Sequence, residues 1–333
     1  MSIEEEQRKE LQEAVLFTVI YYNVLSFPPT TFEVWKHLIN FRRSVKTPCD
    51  FFDVARILDV ELRKGDFVCR DSFWCLKGFE DIVRQRIRKQ KIAVKKIKKA
   101  KNWIKLAAPL LFVRGIFING TLAMKRANEQ SDWDVLVVMK KNRIWSGRLI
   151  ISVFLQLFFK RRHHDKIKDR FCLNHFLTED GLIMEEEDNA YLANELVFTL
   201  PIYGEKIFNK FIQLNEHQLF KYKPNYSRDR SDYFFLLKEN PILEKIKLSA
   251  EWLADVFFGD FFNRLVKKAM VKRIMANPKT YIPGADIRFS DQALIFLPQP
   301  RREIIWDRAG ELFKKISGDE QLKQDLDIEL IDT

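Results

Sequence analysis

Apolar positions change their period several times along the chain, and the changes divide it. Leu11, Val15, Val19 and Tyr22 recur at helical spacing and predict a helix over 8–26, stopped by Ser26-Phe-Pro-Pro29. Thr30 or Thr31 can cap a second helix to about Leu38. A third is expected from Asp50 to Arg63, with Phe52, Ala55, Leu58 and Leu62 inward. Phe67–Cys69 and Phe73–Leu76, either side of Arg70-Asp-Ser72, then read as a β-hairpin. The period returns to helical over 79–107, where Val83, Ile87, Val94, Ile97 and Ile104 form one stripe.

Beyond this helix, strand and helix patterns alternate. Strands are predicted at Phe112–Asn119, Trp133–Met139 and Phe171–Leu177, with a short helix after the Gly-Thr turn between the first two. Helices are predicted at Arg143–Phe159 and at Asn189–Leu200, the latter ended by Pro201. This gives an α/β core of about three strands over 109–205. The last third reads as helices at Arg228–Leu237, Pro241–Phe258, Phe261–Ala276 and Arg302–Ile316, followed by an acidic tail. Ala285–Leu297 is either a strand or an irregular crossing. The expected division is 1–78, a basic connecting helix 79–108, the core 109–205 and a helical region 206–333.

Composition narrows the function classes. Of 333 residues, 47% are hydrophobic and 31% charged, which suits a folded globular chain and excludes extended disorder. A net charge of +11 favours an anionic partner: nucleic acid, nucleotide or acidic membrane surface. Much of that charge lies on the 79–107 helix, including Arg86, Lys95, Lys96 and Lys99. Those side chains read as a solvated face, or as a nucleic-acid or phosphate contact. Cys49, Cys69, Cys75 and Cys172 have no zinc-site spacing and read as free core thiols, which points to the cytoplasm. The acidic start is unlike a secretory signal. The most apolar run, Leu149–Phe159, falls short of the about 20 residues that span a bilayer, so no transmembrane segment is expected. It reads as a buried helix, with a membrane-surface helix as the alternative because Lys160, Arg161 and Arg162 follow.

The chemistry concentrates in Ile118-Asn-Gly-Thr-Leu-Ala-Met-Lys-Arg-Ala-Asn-Glu-Gln-Ser-Asp-Trp-Asp-Val-Leu-Val-Val138. Alternation along a strand puts Asp132 and Asp134 on one side and Trp133 on the other. Two carboxylates aimed together repel unless a cation joins them, and Mg²⁺ suits such a pair where phosphates complete its shell. Gly120-Thr121 lets the backbone approach an anion and offers a hydroxyl to it. The bland alternative is a set of salt bridges from Lys125, Arg126, Lys140 or Lys141; a phosphate contact is the other reading of Lys125 and Arg126, which sit in the spacer. His163-His164-Asp165 reads as a solvated loop, and Glu185–Asp188 as the polar lead into the next helix.

The motif of Gly120-Thr121, a spacer to Ser131, and Asp132-Trp-Asp134 opening an apolar strand resembles the signature of the DNA polymerase beta-like nucleotidyltransferase superfamily. The resemblance covers about 109–180. It implies an α/β (α+β) nucleotidyltransferase core with a small mixed sheet. By element order alone, 8–78 resembles a winged-helix domain. The resemblance further implies that Gly120, Thr121 and Ser131 hold a nucleoside triphosphate, with ATP as the expected nucleotide, and that Asp132 and Asp134 bind Mg²⁺. The family commonly adds a third carboxylate on the next strand, where this chain places Asn174, which cannot act as a base. Asp169, Glu179, Asp180 and His175 are the other candidates for that role. The expected activity is transfer of a nucleoside monophosphate to a hydroxyl. The alternative is a silent nucleotidyltransferase fold that binds DNA or RNA through the basic helix.

Overall fold

The computed structural model describes residues 3–45, 48–63, 65–163, 165–184, 190–228, 233–257, 259–298 and 301–318. The N-terminal elements are helices α1 (Ile3–Val24), α2 (Thr31–Lys36) and α3 (Phe51–Ile57), then the hairpin β1 (Phe67–Arg70) and β2 (Phe73–Leu76). Thr30 caps α2 in a full capping box with Glu33, and Asp50 caps α3. A single π-helical stretch, Leu58–Leu62, extends α3 and turns Val54, Ile57, Leu58 and Leu62 inward. Phe52, expected inward, is 77% exposed, because it sits in the first turn facing away from α1. The hairpin closes through Asp71 and Ser72, both in the left-handed region, which matches the twist of a two-residue turn.

The connecting helix α4 (Asp81–Ala107) buries Ile82, Val83, Ala93, Ile97, Ala100 and Ile104. Its basic residues do not form one solvated face. Arg86 and Lys96 are buried: Arg86 pairs with Glu33 at 2.6 Å, and Lys96 reaches Asp169 at 2.7 Å. Arg84, Arg88, Lys91, Lys95, Lys98 and Lys105 remain exposed. Ile87, placed in the apolar stripe, is 38% exposed.

The core is a six-stranded mixed sheet rather than the expected three strands. Its strands are β3 (Val113–Ile118), β4 (Trp133–Met139), β5 (Phe171–Thr178), β6 (Leu200–Tyr203), β7 (Asp286–Phe289) and β8 (Ala293–Leu297), in the order β6-β3-β4-β5-β8-β7. Only β4 and β5 run parallel. Pro201 does not simply end a helix. It lies in β6 at the sheet edge, where a residue without an N–H is tolerated. Residues 285–297 supply β7 and β8, so the sheet reaches past the expected boundary at 205.

Helices α5 (Gly120–Ala123), α6 (Ile144–Leu157), α7 (Ala190–Phe198), α8 (Glu205–Leu214) and α9 (Glu216–Tyr222) complete the core. α10 (Pro241–Phe257), α11 (Gly259–Met275) and α12 (Arg301–Gly318) follow. One sheet face packs Trp133, Val135, Val137 and Phe176 against Ile151 and Leu155 of α6 and Val266 and Ile274 of α11. The other packs Phe117, Leu136, Val138 and Leu177 against α7 and α8. α6 is therefore a core helix on one side, but Val153, Leu157, Phe158 and Phe159 at its end are exposed. α12 joins the N-terminal helices instead of its neighbours in sequence: Ile305, Ala309, Leu312 and Phe313 complete the α1 core. No helix among the described residues is long and apolar enough to cross a membrane.

Two expectations for the last third change. Residues 234–237 are not helical, because the Leu237 N–H bonds to Ile202 of β6, and 229–232 lie outside the described residues. α10 is inverted. Its buried positions are Lys247 and Glu251, while Ile242, Trp252, Val256 and Phe257 are at least 60% exposed. Glu251 accepts the Phe112 N–H and grips Arg114 at 2.6 and 2.8 Å, and Lys247 donates to the Val113 carbonyl. The inward face thus anchors the entry of β3, where Phe112 takes a left-handed conformation. All four cysteines are free, and only Cys75 is fully buried.

Candidate metal and phosphate site

The site is built where β3 ends and β4 begins. These strands pair antiparallel, with Ile118 opposite Val135, so the turn after β3 lies beside the first residues of β4. The Asn119 N–H bonds to the Asp134 carbonyl and fixes that register. Gly120 then takes φ +63, a left-handed conformation that disfavours a side chain. A Cβ there would meet Asp134 Oδ2 at 2.9 Å, so glycine is what allows turn and carboxylate to touch. Thr121 stands half-buried in the first turn of α5, and its carbonyl accepts from the Arg126 N–H.

Asp132 and Asp134 project to one side, and Trp133 is buried on the other against Phe171. Parallel pairing sets Cys172 beside Asp134. A ligand atom from each of Asp132, Asp134 and Cys172 lies within 4.8 Å of the other two. The Cys172 thiol donates to the Asp134 carboxyl, and Asn174 Nδ2 lies 3.4 Å from Asp134 Oδ1. Burial first, and then the Asp132 charge, push Asp134 up to about 7. Glu195 of α7 adds to the negative potential. Burial and the same two carboxylates raise the Cys172 thiol well above its ordinary range.

A register shift separates Phe176 from Cys172 and Asn174. Asp134 pairs with Cys172 but Leu136 pairs with His175, so β5 carries one extra residue between them. Simple alternation, which puts Cys172, Asn174 and Phe176 together, fails past this bulge: Phe176 packs with Trp133 and Val137 on the opposite face. His175 is buried opposite Leu136.

The neutralising cation is not one of the four basic residues nearest in sequence. Arg162 Nη1 donates to Asp132 Oδ2 at 2.5 Å. Lys140 is held by Asp255 at 2.7 Å and Lys141 lies 3.4 Å from Asp180. Arg126 is buried, and Lys125 turns the chain in a left-handed conformation. Ser131 is engaged locally: its hydroxyl accepts from the Asn128 N–H and donates to Asn128 Oδ1, and its carbonyl accepts from Lys96. Lys96 and Lys99 both hold Asp169, which keeps that carboxylate out of the cluster. Glu179 and Asp180 follow the far end of β5, where Met139 pairs with Thr178. His163 sits in a tight turn with Lys166, while His164 and Glu185–Asp188 lie outside the described residues.

The donor set fits a hard divalent cation. Two carboxylates converge, and Asn119, whose N–H bonds to the Asp134 carbonyl, has a buried Oδ1 with no hydrogen-bond partner among the described residues. A thiol is a poor ligand for Mg²⁺, so Cys172 is the member of the cluster that departs from an all-oxygen shell. Sequence reasoning placed Cys172 on the right strand face yet read it only as a core thiol, and it read Arg162 only as part of the basic run after Leu149–Phe159. The chain matches no protein family, no curated protein and no solved structure.

Proposed function

We propose that this protein is a Mg²⁺-dependent nucleotidyltransferase that moves a nucleoside monophosphate from a nucleoside triphosphate, with ATP as the expected donor, to an acceptor hydroxyl. One observation carries the reading: a left-handed Gly-Thr turn lies in contact with the second of two carboxylates that share a strand face. A phosphate cradle and a metal clamp are needed together only where a polyphosphate must be held and its charge neutralised.

In this reading Asp132 and Asp134 hold the cation, which supplies charge neutralisation at the phosphates. Gly120 brings the backbone close to the triphosphate, and the Thr121 hydroxyl donates to one of its oxygens. The acceptor oxygen bonds to the α-phosphorus while the α–β bridging P–O bond breaks and pyrophosphate leaves. The hydroxyl proton passes to solvent, since Asn174 cannot accept it and the Cys172 thiol is already protonated. Arg162 donates to Asp132 Oδ2 and would orient that carboxylate where it could hold a cation.

The test is incubation with Mg²⁺ and each α-labelled nucleoside triphosphate, with label followed into protein, RNA and small molecules of a cell extract. Transfer by the wild type and none by Asp132→Asn/Asp134→Asn is expected. Equal nucleotide binding by both proteins, without transfer, would sink the reading. A second reading rests on the exposed stripe Arg84, Arg88, Lys91, Lys95, Lys98 and Lys105: a silent fold that binds nucleic acid through α4. Nucleic-acid affinity that falls steeply with salt and ignores Asp132→Asn would favour it.

A further inference from the structure

A second concave site lies on the opposite face of the sheet, between α6, α11 and the β7–β8 hairpin. It is a cavity of about 470 Å³, within the range of small-ligand pockets. Arg148, Arg161 and Arg273 all line it. Its lining holds no carboxylate, and among the described residues no salt bridge is found from any of these three arginines. Arg161 and Arg162 are adjacent, yet they part: Arg162 turns to Asp132 and Arg161 to this cavity. The remaining walls are mostly apolar, among them Leu149, Met270 and Phe296. The mouth is apolar too, with Val153 at 49% and Leu157 at 70% exposure.

Three guanidinium groups around one space repel one another. Burial, and then the charges of Arg161 and Arg273, pull Arg148 down to about 10. Only part of that cost returns from stacking: the Arg148 guanidinium lies 4.2 Å from the Phe296 ring centroid and 5.5 Å from that of Phe176. A multidentate anion would neutralise all three, and a phosphomonoester has more oxygens and up to two charges to offer three guanidinium forks, where a carboxylate has two oxygens and one charge. Inorganic phosphate alone would leave the apolar walls uncovered. We infer that this cavity binds a phosphomonoester carried on an apolar body, its phosphate held by Arg148, Arg161 and Arg273 and its body laid along Leu149, Met270 and Phe296. The site is separate from the Asp132/Asp134 cluster, because Phe176 and Trp133 of the intervening sheet face this side and the carboxylates face the other.

The test uses the full chain and dodecyl phosphate as the probe, with calorimetric titration at fixed ionic strength. Dodecyl phosphate should bind at least about tenfold tighter than inorganic phosphate, because only the former covers apolar surface. Replacing all three arginines by glutamine should cost at least about tenfold in affinity. Arg148 stacks on the sheet, so that variant could lose structure. Val153→Trp, at a half-exposed position, narrows the mouth without touching an arginine and should weaken binding in a protein that melts like wild type. Asp132→Asn should leave binding unchanged. Vesicles of phosphatidylcholine with and without phosphatidic acid separate the two sources: capture only with phosphatidic acid assigns a lipid headgroup, and binding of the dispersed ester alone assigns a soluble ligand. Inorganic phosphate binding as tightly as dodecyl phosphate would overturn the inference. So would binding of dodecyl phosphate that survives both the arginine variant and Val153→Trp.

Discussion

Gly120→Ala tests the contact that joins the two halves of the site. The substitution imposes two separable penalties. The first is conformational: φ at Gly120 is +63, and an L-residue held in the left-handed region costs about 1–2 kcal/mol. The second is steric: the new Cβ would stand 2.9 Å from Asp134 Oδ2, against an ordinary contact beginning at 3.4 Å. Asp134 must therefore withdraw by about 0.5 Å, roughly the tolerance within which a working constellation must be held. Gly78→Ala isolates the first penalty, since φ there is +86 and nothing lies within 4 Å of the added Cβ. Thermal melting with and without Mg²⁺ reads both effects, because a ligand that binds only the folded state raises the melting point by mass action. Without metal both variants should melt lower than wild type, Gly120→Ala by the larger amount because it carries both penalties. Only Gly120→Ala should lose most of the Mg²⁺-dependent rise, equivalent to at least about a tenfold drop in affinity, or about 1.4 kcal/mol. If Gly120→Ala keeps the wild-type rise, the turn and the carboxylate do not form one site.

Other outcomes follow from the same geometry. Cys172→Asp should tighten Mg²⁺ binding in calorimetry by completing an oxygen shell, and should lower the metal-free melting point because three carboxylates then converge. Metal-free stability should depend on pH through Asp134. Its carboxyl titrates near 3.8 when unfolded and near 7 when folded, so its contribution is whole below pH 3.8 and is lost as pH rises through 7. Asp134→Asn should flatten that profile in denaturant titrations, and Mg²⁺ should oppose the loss. Lys96→Met removes a buried ammonium that ties Ser131 to Asp169, and should cost about 1–3 kcal/mol in chemical denaturation while weakening Mg²⁺ binding through the displaced Asp132. Lys99→Met, whose side chain is 63% exposed, should cost well under 1 kcal/mol and leave Mg²⁺ binding intact.

Local chemistry made part of this protein legible in its sequence. Strand β4 spans the residues its apolar run predicts, Thr30 and Asp50 cap the helices that follow them, and the hairpin turns at Asp71 and Ser72. Each depends on interactions a few residues long. The pairing of Asp132 with Asp134 was likewise readable, because alternation along a strand is a local rule. Tertiary structure decided the rest. The extra residue in β5 alters no composition, so only pairing with β4 reveals that Phe176 turns away from Cys172 and Asn174. Arg162 reaches Asp132 across 30 residues of sequence, and Lys96 reaches Asp169 across 73. α10 hides Lys247 and Glu251 and exposes Trp252 and Phe257 because the start of β3 presents unpaired backbone groups and Arg114 to it. Hydrophobic periodicity cannot foresee that choice, since it assumes that the apolar side of a helix is the buried one.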